Sequence, residues 1–171
     1  GKDTQIRLLS ERLKTCGQTI SQVQEPAEVY KGWRDVWRQD HGKELEESMI
    51  MKFLLMADRY ELMKERVYPA LEAGDTVLSN RSFVSTLVYQ CGDAGDVAVT
   101  AYAHQFVPQP DLVILFDLDP DIAWKRIEDR QKRKPGRKKG LYERRELLKI
   151  HRNRYIDVCS SLFEHEMRII D

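Results

Sequence analysis

The chain has 171 residues, enough for one compact domain with a small insert, and its 42% apolar content is enough to bury a core. At 33% charged it is not a disordered polymer, and no run of eighteen apolar residues offers a membrane span. The 28 basic and 28 acidic residues cancel, but residues 125–154 hold fourteen Lys/Arg against four Asp/Glu. Such a concentrated positive field suits a polyanion: nucleic acid, a membrane surface or a nucleotide polyphosphate. The acidic remainder argues against a general nucleic-acid surface.

Cys16, Cys91 and Cys159 lie far apart, an odd number with no disulfide framework, which fits a reducing cytosol. His41, His104, His151 and His165 make no zinc-ligand spacing with them.

Gly1-Lys2-Asp3-Thr4-Gln5 opens directly into a helical pattern that predicts a helix over 4–15. A glycine, a lysine and a helix N-terminus are what the end of a phosphate-binding loop requires. The glycine allows close backbone approach, the lysine reaches the β- and γ-phosphates, and the helix end receives negative charge. A solvated Gly-Lys dipeptide has the same sequence, and Asp3 stands where that loop has Ser or Thr. The upstream strand and first glycine are absent, so the chain reads as lacking its N-terminal strand.

Gly17 stops the first helix, and 18–24 alternates as a short strand ended by Glu25-Pro26. Trp33 and Trp37, four residues apart within 27–40, predict a helical face or an ordered lid. A long helical stretch follows from 43 to 72, then a Gly74-Asp75 turn and a buried strand over 76–79. Residues 84–106 read as helix interrupted near 92–95, and 112–116 as the clearest buried strand. Asp119-Pro120 combines an N-cap with proline at the first helical position, so a helix runs from there to 133. A basic loop, 134–140, a helix over 142–164 and a strand over 167–170 complete the chain. Apolar strands alternating with helices predict an α/β fold with a parallel sheet covered on both faces. In such a sheet the ligand lies beyond the carboxyl ends of the strands. Glu25, Asn80-Arg81 and Asp117/Asp119 each follow a strand directly, so they are predicted to converge on one crevice.

Short stretches in a specific order now carry a resemblance. They are Gly1-Lys2-x-Thr4-Gln5, Glu25-Pro26, Leu54-Leu55-Met56-Ala57-Asp58-Arg59, Pro69-Ala70-Leu71-x-x-Gly74, Asn80-Arg81 and Ser85-Thr86-x-x-Tyr89-Gln90. Pro110-Asp111-Leu112, Leu115 to Pro120 and Trp124-Lys125-Arg126-Ile127-x-x-x-Arg130 continue the order. Together they resemble the thymidylate kinase family of P-loop nucleoside monophosphate kinases. The resemblance implies a three-layer α/β/α fold with a central parallel sheet and a basic lid at about 130–142. It implies a single domain over 1–171, shortened at both ends. It also implies transfer of the γ-phosphoryl group of ATP to dTMP, with Mg2+, in a cytoplasmic homodimer that pairs through helices near 43–65 and 84–105.

The resemblance places ATP on Gly1, Lys2, Asp3 and Thr4, with Asp3 as the metal ligand. It gives the transferring phosphoryl group to Lys2, Arg81, Arg130 and Arg133, with Arg137 as a further candidate. Arg59 would contact the base, Leu55 would occupy the position of the ring that stacks on it, and Arg81 would hold the acceptor phosphate. Ser85, Thr86, Tyr89 and Gln90 would line the nucleotide pocket, with Tyr89 crowding the ribose 2′ position. Glu25 and Glu143 would be the acidic residues after the second strand and after the lid, Glu143 beside the acceptor sugar or metal. Periodicity alone allows plainer roles: a helix-surface charge for Arg59, core packing for Tyr89, a solvated basic helix end for the lid. Arg81 is different, because a charge directly after a buried strand is costly without a partner.

Four positions depart from the family pattern: Asp3, Gln24 before Glu-Pro, Leu55 in place of an aromatic, and Asn80 in place of the aspartate of an Asp-Arg pair. Asp3 gains a carboxylate where Asn80 loses one, which suggests that the metal-site carboxylate has been relocated. Two other readings stay open: a deoxynucleoside kinase, which Asn80-Arg81-Ser82 and Glu25-Pro26 also echo, and a catalytically impaired nucleotide-binding homologue.

Overall fold

The computed structural model describes residues 1–41, 49–137, 140 and 142–170. The start of the predicted 43–72 helix, and Lys138, Lys139 and Leu141 of the predicted lid, lie outside the described residues. The chain divides into two compact units, Gly1–Pro108 and Gln109–Asp171.

In the first unit, helix α1 (Lys2–Thr15) leads through Gly17 into strand β1 (Ile20–Gln24). Helix α2 spans Lys31–His41 and helix α3 Met49–Leu62. One π-helical turn, Met63–Val67, carries α3 into the short helix α4 (Tyr68–Glu72). Gly74 ends α4 at φ 81, a left-handed conformation that glycine adopts without steric cost, and Asp75 N donates to Ala70 O at 2.9 Å to close the turn. Strand β2 (Thr76–Asn80) follows, then helices α5 (Val84–Gln90) and α6 (Ala94–Ala103). Asp93 caps α6, as its side chain accepts from Asp96 N.

Strands β1 and β2 are parallel, in register from Ile20↔Thr76 to Gln24↔Asn80. Val23 of β1 packs with Leu62, Met63 and Val67, and Val77 and Phe106 close over the cluster. Burial of each such side chain contributes about 1.5–3 kcal/mol, so this patch anchors the sheet to α3 and its π turn. The predicted helix carrying Trp33 and Trp37 is present as α2. Trp33 is 70% exposed, whereas Arg34 beside it is buried and pairs with Asp58 of α3 at 2.8 Å.

The second unit contains strand β3 (Val113–Phe116), helix α7 (Pro120–Arg133), helix α8 (Arg145–Leu162) and strand β4 (Met167–Ile170). Asp119 accepts from the amides of Asp121 and Ile122, and Pro120 follows it, so the predicted helix start is present. Strands β3 and β4 are parallel, and Ile127, Cys159 and Phe163 are buried where α7 and α8 pack. The prediction that these strands are buried on both faces is corrected: Phe116, Ile169 and Ile170 are each nearly half exposed. A two-stranded ribbon of four-residue strands presents more apolar edge and face than one helix pair covers. The α/β class with parallel strands is as expected.

Candidate active site

The carboxyl ends of β1 and β2 gather chemistry from three parts of the first unit. Glu25 N donates to Asn80 O at 3.0 Å, which extends the parallel pairing one residue past β1, and the following Glu25–Pro26 bond is cis. Directly after β2, Arg81 holds a left-handed backbone at φ 75. A non-glycine residue in that region stores on the order of 1–3 kcal/mol of strain, and such residues cluster at functional sites. The first turn of α1 reaches the same end. Asn80 Nδ2 donates to Asp3 Oδ1 at 2.8 Å, and Lys2 Nζ donates to the same oxygen at 2.7 Å. The Lys2 ammonium, and then the Asn80 amide, hold the Asp3 carboxyl below the ordinary carboxylate range. Lys2, Asp3, Glu25, Asn80 and Arg81 therefore lie at the carboxyl ends of β1 and β2, whereas Asp117 and Asp119, expected at the same crevice, belong to the second unit.

Behind them sits a buried cation. Arg59 of α3 is 3% exposed, and its Nε donates to Glu25 Oε2 at 2.7 Å while Nη2 lies 2.6 Å from the same oxygen. Nη2 also donates to Thr86 Oγ1 on α5 at 3.2 Å, and Nη1 lies 2.6 Å from His104 Nε2 at the end of α6. One guanidinium thus ties the residue after β1 to three helices. Removal of either member of such a pair leaves an uncompensated buried charge, at a cost of about 3–5 kcal/mol.

Leu55 lies one turn before Arg59 on α3 and is half-buried. On α5, Ser85 and Tyr89 are half-buried whereas Thr86 and Gln90 are buried. Tyr89 lies under Arg81, whose Cζ is 5.9 Å from the ring centroid. Gly1 O accepts from the amides of Thr4 and Gln5 at 3.0 and 3.2 Å, which closes the first turn of α1.

In the second unit the basic segment is organised by one carboxylate. Glu143 accepts from Arg137 Nη1 and Nη2 at 2.8 and 2.7 Å, from Gly140 N at 2.9 Å and from Arg130 Nη1 at 3.4 Å. The Arg137 fork, first of all, pushes Glu143 down to about 2. The resemblance sets Glu143 beside the acceptor sugar or metal; here its oxygens are occupied within the basic segment itself. Arg133 Nε donates to Asp129 O at 3.3 Å.

Three features escaped the sequence reading. The Arg34–Asp58 pair was hidden by the neighbouring tryptophans. Lys52 of α3 donates to Asp96 of α6 at 2.6 Å, a pairing across 44 residues that no local pattern announces. His104 carries no motif; its only signal was a lone histidine at the end of an apolar helix.

A family model described as thymidylate kinase matches residues 1–171. The chain belongs to the thymidylate kinase family. Three relatives show its range. A thymidylate kinase of Ruegeria pomeroyi is 32% identical over 100% of this chain and 81% of its own length. One of Tropheryma whipplei is 32% identical over 99% of this chain and 88% of its own. A probable thymidylate kinase of Pyrococcus horikoshii is 34% identical over 75% of this chain and 64% of its own length.

Asp3 and Asn80, the two positions expected to have exchanged a carboxylate, are direct partners, 2.8 Å apart. An aspartate at both positions would set two carboxylates at hydrogen-bond distance, which raises the pKa of one of them. An amide facing a carboxylate removes that repulsion and adds a charge-assisted hydrogen bond.

Proposed function

We propose that the protein transfers the γ-phosphoryl group of ATP to dTMP to give dTDP. The observation that carries this reading is the meeting of Lys2, Asp3, Glu25 and Arg81 at the carboxyl ends of two parallel strands, with the buried Arg59 joined to Glu25. Phosphoryl transfer is achieved by positioning and charge neutralisation more than by covalent chemistry, and this set supplies both.

Lys2 and the amides that open α1 hold the ATP phosphates, with Gly1 and Thr4 shaping that turn. Arg81 binds the acceptor phosphate, and its guanidinium lies against Tyr89, which with Ser85, Thr86 and Gln90 lines the nucleotide side. Arg59 donates to a carbonyl of the base, and Leu55 supplies apolar contact to it. Arg130, Arg133 and Arg137 are the candidate phosphate-facing cations of the second unit, where Glu143 gathers Arg130 and Arg137.

Magnesium binds through one or two carboxylates together with substrate phosphates and water rather than in an all-protein cage. Among the described residues no group of three acidic, histidine or cysteine side chains could hold a metal, and the Asp3 carboxylate fits the smaller requirement. When bound, the ion neutralises charge on the β- and γ-phosphates.

A second copy of the chain covers the apolar surface of α3 and α6. Met49, Ile50 and Phe53 on α3, and Val99 and Tyr102 on α6, are exposed, and Lys52–Asp96 fixes the two helices side by side. Among the described residues no helix is long and apolar enough to cross a membrane. Both substrates are cytoplasmic metabolites, and the free cysteines Cys16, Cys91 and Cys159 suit a reducing compartment.

A coupled ATP-consumption assay of the full-length protein with each nucleoside monophosphate, and with thymidine, tests the reading. Turnover with dTMP and magnesium is expected. Turnover with thymidine alone indicates a nucleoside kinase. ATP and dTMP binding without turnover indicates an impaired homologue.

A further inference from the structure

His104 follows α6 and belongs to none of the motifs that resemble the family. Its ring is held on three sides. Thr100 O lies 2.6 Å from Nδ1, and a carbonyl only accepts, so Nδ1 carries the hydrogen. Phe83 stacks on the ring at 5.6 Å between centroids with a 19° tilt, and Phe106 lies at 5.9 Å. With Nδ1 protonated, Nε2 is an acceptor, and it faces Arg59 Nη1 at 2.6 Å. Burial, and then the Arg59 charge, push His104 down to about 4, so at neutral pH it is an uncharged acceptor beside a cation.

A cation already paired with Glu25 gains little charge compensation from a neutral imidazole. What it gains is orientation. A guanidinium has five N–H groups in one plane. Nε and Nη2 are directed at Glu25 and Thr86, and His104 takes one N–H of Nη1. The other N–H of Nη1 has no partner among the described residues. We propose that His104 is a positioning residue that fixes the rotation of the Arg59 guanidinium and so aims its remaining N–H at a carbonyl oxygen on the base of the acceptor nucleotide. This rests on the role given to Arg59 above. Thr100, which turns the imidazole, and Phe83 and Phe106, which clamp it, are the outer supports of that donor.

Steady-state kinetics of the full-length protein test it. His104→Phe keeps a ring and deletes the acceptor, whereas His104→Gln restores an acceptor oxygen. With one charge-assisted hydrogen bond lost, His104→Phe is expected to raise KM for dTMP about tenfold while KM for ATP and kcat stay within about twofold. His104→Gln is expected to recover most of that loss. An unchanged KM for dTMP in His104→Phe, an equal rise in both KM values, or a folded His104→Gln no better than His104→Phe overturns the proposal. If His104→Phe does not fold, nitrogen NMR of the native protein decides. His104 Nε2 should be unprotonated at neutral pH and shift on addition of dTMP but not of ATP; a protonated or dTMP-insensitive Nε2 overturns it. Arg59→Lys separates the two readings. An unchanged KM for dTMP there overturns the role of Arg59 and this inference with it. A raised KM there, with none in His104→Phe, overturns only the part given to His104.

Discussion

Arg81 shows how a single residue trades stability for placement. Its φ of 75 stores on the order of 1–3 kcal/mol, and its guanidinium lies over the Tyr89 ring. Arg81→Gly relieves that strain and removes a cation aimed at phosphate, so it is expected to leave the fold intact in urea melts while lowering kcat/KM by about a hundredfold or more. An unchanged kcat/KM would show that Arg81 does not act on phosphate. The need of Arg81 for a partner was legible in the sequence, because a charge directly after an apolar strand is costly alone. Its left-handed backbone was not, because nothing but the geometry of the chain reversal after β2 imposes it. Arg34 is the opposite case: nothing in the local spacing of α2 marks it for burial, and a partner 24 residues away, Asp58, decided it.

At the scale of elements, side-chain pairs set how helices meet the sheet. Asp3–Asn80 joins α1 to β2, Arg59–Glu25 joins α3 to the end of β1, and Arg59–Thr86 and Arg59–His104 bring in α5 and α6. If Asp3 and Asn80 form one relocated carboxylate–amide unit, their substitutions will couple. Asn80→Asp alone places two carboxylates in contact and should raise the magnesium concentration needed for half-maximal rate. Adding Asp3→Ser should restore it, with a coupling energy of about 1 kcal/mol or more. Additive effects in this double-mutant cycle would refute the exchange. Helix starts and stops were legible here: Asp119 with Pro120, and Gly74, act through bonds two to four residues away. The π turn at Met63–Val67 was not, since its apolar spacing is that of the helix on either side.

At the scale of the whole molecule, each unit contains a histidine that is buried uncharged. His104, in the first, is held at about 4 by burial and then by Arg59, with Thr100 O opposing. His151, in the second, is held at about 4 by burial and then by Arg154, with Tyr142 edge-on to its ring. Both lie below the ordinary histidine value of 6.5, so the unfolded chain binds protons that the folded chain refuses. Stability is thus complete above about pH 6.5 and falls as pH drops toward 4, by about 2 kcal/mol or more per histidine. Thermal melts across this range should show the fall, and His104→Gln should remove its share; a flat profile in the native protein would contradict the burial of both rings as neutral groups. Below pH 4.5, protonation of Glu143 adds a further loss toward 2 and releases Arg137.

The sequence by itself determined the alternation of helices and strands, the parallel class of the sheet, the family, and which residues stand at strand ends. Those properties are written in periodicity, caps and motif order, all of which act within a few residues. Only the tertiary structure decided which distant side chains became partners: Asn80 with Asp3, Glu25 with Arg59, and His104 behind it. A buried charge or amide takes whatever complementary group the packing brings to within about 3 Å, and that choice depends on the whole folded path of the chain rather than on spacing along it.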